Sequence, residues 1–200
     1  MPKTNTASRR ADTRDELIRV GTELIAERGF NTTGIESVLK AARVPKGSFY
    51  YYFASKDDFG LAVIDGFASE YARRLDAFLG NREFSPLQRI RNYLQAGIAA
   101  MGDCRCAKGC PIGNLGQEMA NRNELFRIRL EAVFQGWKRR FADCLEEAKE
   151  AEEISQDSDV GQLAEFLLAG WEGASLRGKV TKSVKPMEDF VQVLFDKVLR

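Results

Sequence analysis

Residues 44–56, VPKGSFYYYFASK, decide how the rest of this chain is read. Pro45 suits the first position of a helix, where its missing N–H costs nothing and its fixed φ fits the turn. Aromatic residues run without a break from Phe49 to Phe53, and Ser55 with Asp58 has the spacing of a capping pair for the next helix. This pattern predicts a helix that opens at Pro45 and ends near Phe53. So short a helix is not stable by itself, and neighbouring elements have to hold it.

The residues just before it, TTGIESVLKAARV at 32–44, supply one neighbour. Thr33 and Glu36 have the spacing of a capping box, and Ile35, Val38, Leu39 and Ala42 share one helical face. Two short helices joined by a tight turn at Arg43 and Val44 make a helix-turn-helix, whose second helix fits the DNA major groove. Lys46, Gly47 and Ser48 stand at the N-terminal end of that second helix, where backbone N–H groups, an ammonium and a hydroxyl suit a phosphate. The same pattern also describes a surface helical hairpin with an aromatic edge.

Residues 29–64, GFNTTGIESVLKAARVPKGSFYYYFASKDDFGLAVI, resemble the DNA-binding domain of TetR/AcrR-family transcriptional regulators. The shared elements are the Gly-Phe-x-x-Thr-Thr opening, the segment 44–53 and the Ser-Lys pair after it. The resemblance implies contacts to a double-stranded operator from Thr32, Thr33, Lys46, Gly47, Ser48, Tyr50, Tyr51 and Lys56. Tyr51 stands where many members carry histidine, and the chain has no histidine at all.

Composition agrees with this reading. The chain has 200 residues, 30% charged and 44% hydrophobic, enough for a core without staples. Net charge is +1 overall, but residues 1–56 carry an excess of four positive charges and the remainder a deficit of three. The excess sits where a phosphate-contacting surface needs it. No apolar run is long enough to cross a membrane and no signal segment opens the chain, so a cytoplasmic protein without a membrane partner is expected.

The chain divides into an expected disordered tail at 1–11, a helix-turn-helix domain at 12–56 and a ligand-sensing and dimerisation domain at 57–200. Arg9 and Arg10 in the tail suit a DNA backbone or minor groove, or serve only as solubilising charge. Helix one is predicted from Asp12 or Thr13, capped with Glu16, to Gly29, burying Leu17, Val20, Leu24 and Ile25. A fourth helix follows Ser55 and reaches about Leu79. Ser85 and Pro86 open a fifth, and a long one from about 124 to 150 carries Leu125, Ile128, Phe134, Trp137, Phe141 and Leu145. Further helices follow Asp159 and Pro186. The whole reads as all-α, about nine helices, with no strand alternation.

The last two helices read as an interface. Leu163, Phe166, Leu167 and Trp171 alternate with Ala164, Gly170, Gly173 and Ala174, small residues that let a neighbouring backbone approach. Phe190, Val191, Leu194, Phe195 and Val198 follow. Two such helices from each of two chains would form the four-helix homodimer interface the family resemblance implies; an intramolecular core is the other reading. A short reading helix touches few base pairs, so a pair on a twofold axis is needed to read a pseudo-palindrome.

Three of the four cysteines, Cys104, Cys106 and Cys110, fall within GDCRCAKGC. Cys110 precedes Pro111 and so occupies a helix N-cap, where the dipole and nearby Lys108 favour the thiolate. A thiolate reacts with enones, quinones, aldehydes or oxidants; a buried, inert cysteine is the alternative. GCPIGNLGQEM, with WEGASLRGK far downstream, is similar to the electrophile- and acrylate-responsive subgroup of the same family, which places a sensing cysteine at Cys110 and a lysine at Lys179. Trp137 and Trp171 are candidates for a pocket lining, and Arg177 is a further cation able to meet a carboxylate. Cys104 or Cys106 could form a regulatory disulfide with Cys110, and four thiolates including Cys144 are the only zinc reading available. No cofactor or resident metal is expected.

Three functions follow from these residues: a dimeric repressor released by modification of Cys110, the same repressor released by a noncovalently bound small carboxylate or other inducer, or an enzyme using Cys110 as nucleophile. The last lacks a base at any suggestive spacing.

Overall fold

The computed structural model describes residues 4–199, with side chains from residue 10 onward. Among the described residues every regular element is helical. The order is α1 Thr4–Arg28, α2 Ile35–Ala41, a tight 3-10 turn Lys46–Ser48 running into α3 Phe49–Tyr52, then α4 Lys56–Leu79 and α5 Pro86–Asp103. α6 Pro111–Met119, α7 Glu124–Glu150, α8 Val160–Thr181 and α9 Lys185–Val193 follow, the last closing in a wider turn Leu194–Val198.

The chain forms two compact units. The first is the chain up to Ser69 together with Pro111–Leu130; the second is Glu70–Cys110 with the chain from Glu131 onward. This differs from the expected boundary at residue 56. α6 and the start of α7 belong with the N-terminal helices because Ile112, Leu115, Met119 and Phe126 are buried there, and Phe126 packs on Phe30 with ring centroids 5.5 Å apart.

In the first unit, the expected tail at 1–11 is helical from Thr4. Residues 4–11 contain no Gly or Pro and include Ala7, Arg10 and Ala11, good helix formers. Extending a helix already anchored at Leu17 is far easier than nucleating one. Asp12 and Thr13 therefore lie inside α1, and Glu16 pairs with Arg19 at 2.7 Å instead of capping. Residues 1–3 and the Arg9 side chain lie outside the described parts. Gly29 ends α1 at φ 86, as expected.

Two other local readings change. α2 is preceded by Gly34 with no side-chain cap; Thr33 Oγ1 donates to the Gly29 carbonyl at 2.6 Å and Glu36 meets Lys46, so the box between them does not form. Pro45 is extended (φ −58°, ψ 144°) just ahead of the 3-10 turn rather than the first helical residue. The Ser55 box does form. Ser55 Oγ accepts from the Asp58 N–H at 3.0 Å, and Asp58 Oδ2 accepts from the Ala54 N–H at 2.9 Å.

In the second unit Tyr93, Leu94, Trp137, Phe141, Leu145, Leu167, Trp171 and Leu194 are buried. Pro86 takes its expected place at the start of α5, and Asp159 Oδ1 accepts from the Gln162 N–H at 3.0 Å to open α8. Much of the apolar surface read as an interface is spent inside the chain. Ala164, Ala174, Val191, Leu194 and Phe195 are buried, and a Cβ on Gly170 would lie 2.3 Å from the Phe190 ring. Phe166, Leu176 and Val180 on α8 and Val193 on α9 remain exposed, and Gly173 faces open space. On α7, Leu125 and Ile128 are exposed.

Candidate DNA interface and cysteine site

α3 has four residues, Phe49–Tyr52, too few to stand alone. Phe49 and Phe53 are buried, and their centroids lie 5.6 and 5.0 Å from that of Phe59 on α4. This aromatic knot holds the turn and pushes its other face outward. Tyr50 is 70% and Tyr51 56% exposed. Lys46 and Gly47 are exposed and Ser48 is half-buried. Lys46 Nζ lies 3.0 Å from Glu36 Oε1, with both side chains in solvent; so exposed a pair is easily exchanged for a phosphate. Arg10 stacks its guanidinium 4.2 Å above the Tyr51 ring, which puts a cation beside the reading turn.

Three of the expected contacts are committed elsewhere. Thr33 is buried with its hydroxyl on Gly29, so its side chain is not available to DNA. Thr32 is exposed, but its hydroxyl donates to the Arg28 carbonyl. Lys56 Nζ donates to the Asn31 carbonyl at 3.2 Å and sits 4.7 Å over the Phe30 ring. It fastens the loop between α1 and α2.

α6 grips the same loop. Glu118 accepts from the N–H groups of Phe30 and Asn31 at 2.9 and 2.7 Å, and Asn114 Nδ2 donates to the Ile25 and Ala26 carbonyls at 3.0 and 3.2 Å. The two N–H groups belong to the turn after α1, and the Ile25 carbonyl, which already accepts from the Gly29 N–H at 2.9 Å, takes the Asn114 amide as a second donor. Glu118→Ala strips an acceptor from two N–H groups and is expected to destabilise the protein by about 1–3 kcal/mol. Glu118→Gln, which keeps one carboxamide oxygen, should recover part of that loss. Urea denaturation with both variants checks it.

In the second unit, Cys110 is half-buried immediately ahead of Pro111, the first residue of α6. Glu172 of α8 is half-buried, and Cys110 acts on its carboxyl as a hydrogen-bonding neighbour. Burial pushes the Glu172 pKa up to about 7, against the opposing pull of that hydrogen bond. Burial also drives the phenol pKa values of Tyr71 and Tyr93 above their usual range, with Glu172 and Cys110 both acting on each. The two hydroxyls are hydrogen-bonded to one another. Around them, Tyr71 stacks on Trp137 with centroids 4.2 Å apart, and Tyr93 lies 5.5 Å from Phe141 and 6.4 Å from Trp171. The two phenols thus meet among aromatic rings.

The other cysteines differ. All four are reduced. Cys104 Sγ donates to the Met101 carbonyl at 3.2 Å, and Cys106 is buried, its carbonyl accepting from Lys182 Nζ at 3.4 Å. Cys144 is a core residue whose pKa burial raises to about 11. Among the described residues no group of three or more acidic, cysteine or histidine side chains is arranged to hold a metal. Lys179 is half-buried, two turns beyond Glu172 on α8. The Trp137 ring lies against Tyr71 and the Trp171 ring near Tyr93, whereas Glu172, Tyr71 and Tyr93 are not singled out by the sequence as site residues. The available signal was an acid inside the apolar run of α8.

The sequence pattern of bacterial regulatory proteins of the tetR family matches residues 17–63, and that of the tetracyclin repressor-like C-terminal domain matches residues 86–194. The chain belongs to the TetR family. Among relatives of this TetR-family protein, the transcriptional regulator AcuR of Cereibacter sphaeroides is 42% identical over 176 residues, covering 88% of this chain and 80% of AcuR. The HTH-type transcriptional repressor NemR of Escherichia coli K12 is 33% identical over 178 residues, 89% of each chain; its reduced form superposes with a TM-score of 0.80, covering 92% and 96% of the two chains. A TetR regulatory protein of Rhodobacter sphaeroides superposes with a TM-score of 0.87 at 41% identity, covering 90% of this chain and 95% of that one.

Family membership makes this chain a DNA-binding regulator of transcription, and regulators of the family bind operators and dimerise. The 17–63 match takes in the whole recognition segment, from the end of α1 to the start of α4. No helix among the described residues of this TetR-family chain is long and apolar enough to cross a membrane.

Proposed function

We propose that the protein is a homodimeric repressor that binds a pseudo-palindromic operator and is released when an electrophile or oxidant modifies Cys110. One observation carries this reading: a half-buried thiol stands directly ahead of α6. The helix N-terminus favours its thiolate. The chain leaves the second unit at Cys110 and enters the first at Pro111. An adduct on the sulfur therefore pulls on the helix whose Asn114 and Glu118 hold the loop beside the reading turn. Release needs only a few kcal/mol of differential stabilisation between two arrangements.

The exposed Phe166, Leu176 and Val180 of α8 and Val193 of α9 supply the surface for the second copy. Tyr50, Tyr51, Lys46, Gly47 and Ser48 supply base and phosphate contacts. Release by a noncovalent carboxylate fits less well, because an ionised Glu172 would meet that ligand with like charge.

The test is operator binding by fluorescence anisotropy, using a duplex selected from random sequence. Wild type treated with N-ethylmaleimide should lose tenfold or more in affinity, about 1.4 kcal/mol, while Cys110→Ser stays bound. Equal release of the serine variant would refute covalent sensing through Cys110.

A further inference from the structure

We infer that Arg10, near the start of α1, is a specificity-determining residue: it holds the Tyr51 side chain in the orientation in which that ring meets the base pairs. This role rests on the outward face of α3 reading DNA, as proposed above, and concerns what fixes one of the readers on that face.

α1 begins at Thr4 and is anchored in the core by Leu17, which is fully buried. The helix ahead of that anchor extends on the order of 20 Å. Arg10 and Arg14 stand one turn apart on this extension, so they share a face, and both are exposed. That face lies along the recognition segment. The Arg14 guanidinium is 5.2 Å from the Phe53 ring centroid, and that of Arg10 is 4.2 Å from the Tyr51 centroid. Phe53 is buried against Phe49 and Phe59. Arg14 therefore registers the extension on the fixed side of the segment, and Arg10 reaches its exposed side.

Arg10 touches Tyr51 twice. Besides stacking on the ring, it donates through Nη2 to the Tyr51 carbonyl at 3.4 Å. A guanidinium is suited to both at once, because its flat face lies on a ring while the N–H groups at its edge remain donors. The carbonyl belongs to the end of a four-residue helix, where backbone acceptors lack helical partners. The Tyr52 ring also meets Tyr51 edge-on, with centroids 5.1 Å apart. An arginine kept only for solubility has no reason to hold one residue, 41 positions away, by both its ring and its backbone.

The consequence is for specificity. A tyrosine free to change rotamer reaches several neighbouring base pairs and has to be ordered when DNA arrives. One already held presents its hydroxyl and ring edge to a single set of base edges, with part of the ordering cost removed beforehand. Discrimination between an operator and its near variants then depends on Arg10 acting through Tyr51, as a positioning residue.

The test uses full-length wild type, Arg10→Ala, Arg10→Lys, Tyr51→Ala and the double variant Arg10→Ala with Tyr51→Ala. Each is titrated by fluorescence anisotropy, at several salt concentrations, onto the duplex selected from random sequence and onto its single-base-pair variants. The readout is the ratio of affinities for the selected duplex and each variant duplex. Because both affinities come from one protein, any change in its folded fraction cancels. Tyr51→Ala should lower the ratio at the base pairs that Tyr51 reads. Arg10→Ala should lower it at the same base pairs by about two- to fivefold, the range an exposed cation–ring contact supports. Arg10→Lys keeps the charge without the flat face, so it should retain the wild-type salt dependence and still lose discrimination. Added to Tyr51→Ala, Arg10→Ala should not change the ratio further.

An unchanged ratio in Arg10→Ala overturns the role, and an equal loss of affinity for every duplex would make Arg10 a backbone contact instead. Full discrimination in Arg10→Lys overturns it as well, since charge alone then suffices. So does a further fall in the ratio when Arg10→Ala joins Tyr51→Ala. These outcomes leave the reading face of α3 intact. That face is tested by Tyr51→Ala alone: an unchanged ratio there removes Tyr51 from the readers and overturns both.

Discussion

Glu147→Ala should lower the unfolding free energy by about 3–5 kcal/mol, the usual result of leaving a buried charge without its partner. Arg89 is only 2% exposed. Its guanidinium donates to Glu147 and, at 2.6 Å, to the Leu79 carbonyl at the end of α4. Its Nε has no hydrogen-bond partner. Without Glu147 the buried cation keeps a single carbonyl. For a chain of this size the melting temperature should fall on the order of 10 °C. Arg89→Met should cost much less, because Glu147 keeps exposed Arg82 at 2.8 Å and can reach water. The double replacement Arg89→Met with Glu147→Leu should recover most of the loss, since an apolar pair of similar volume pays no desolvation penalty. Equal losses from Glu147→Ala and Arg89→Met would mean that packing, not charge, holds this corner.

The same network sets an acid limit. Burial opposes ionisation of Glu147, but hydrogen bonds from Arg89 and Arg82 outweigh it and hold the carboxyl below its ordinary range. A carboxylate whose folded pKa is depressed contributes stability above its unfolded value, and that contribution disappears as pH falls through the folded pKa. Denaturation at pH 7 and pH 3 should therefore differ more for wild type than for Glu147→Ala.

What could be read from the sequence was chemistry that acts over a few residues. Ser55 with Asp58, Pro86, Asp159 and Gly29 announced helix ends because caps are satisfied by neighbours in the chain. The recognition turn was legible for a similar reason: its aromatic run admits few arrangements in so short a helix. Thr33 shows the limit, because a hydroxyl four residues from Gly29 had a competing local acceptor. Other features depend on residues far apart in sequence. Glu118 reaches Phe30 across 88 residues, and no local pattern assigns α6 to the first unit. Cys110 was visible as an unusual residue before a proline, yet its effect on Glu172 arises only when α8 is laid beside it. Gly170 looked like an intersubunit contact, whereas the ring that fills the space beside it is Phe190 of the same chain.

Phe49→Ala and Tyr50→Ala, one residue apart, should have opposite consequences. Phe49 is fully buried, with ring centroids 5.4 Å from Phe53 and 5.6 Å from Phe59. Truncation removes the anchor of the four-residue α3 and should cost about 3–5 kcal/mol; Phe49→Leu should cost less, because most of the volume remains. Tyr50 meets the Phe49 ring by its edge at 5.5 Å, but 70% of it faces solvent. Its truncation should change stability by about 0.5 kcal/mol or less and still weaken operator binding, the result expected of the proposed reading face. Urea denaturation and operator anisotropy on both variants separate the two effects. If Tyr50→Ala unfolds the protein as readily as Phe49→Ala, the exposed ring belongs to the scaffold. If it leaves both stability and affinity unchanged, the outward face of α3 is not the face that reads DNA.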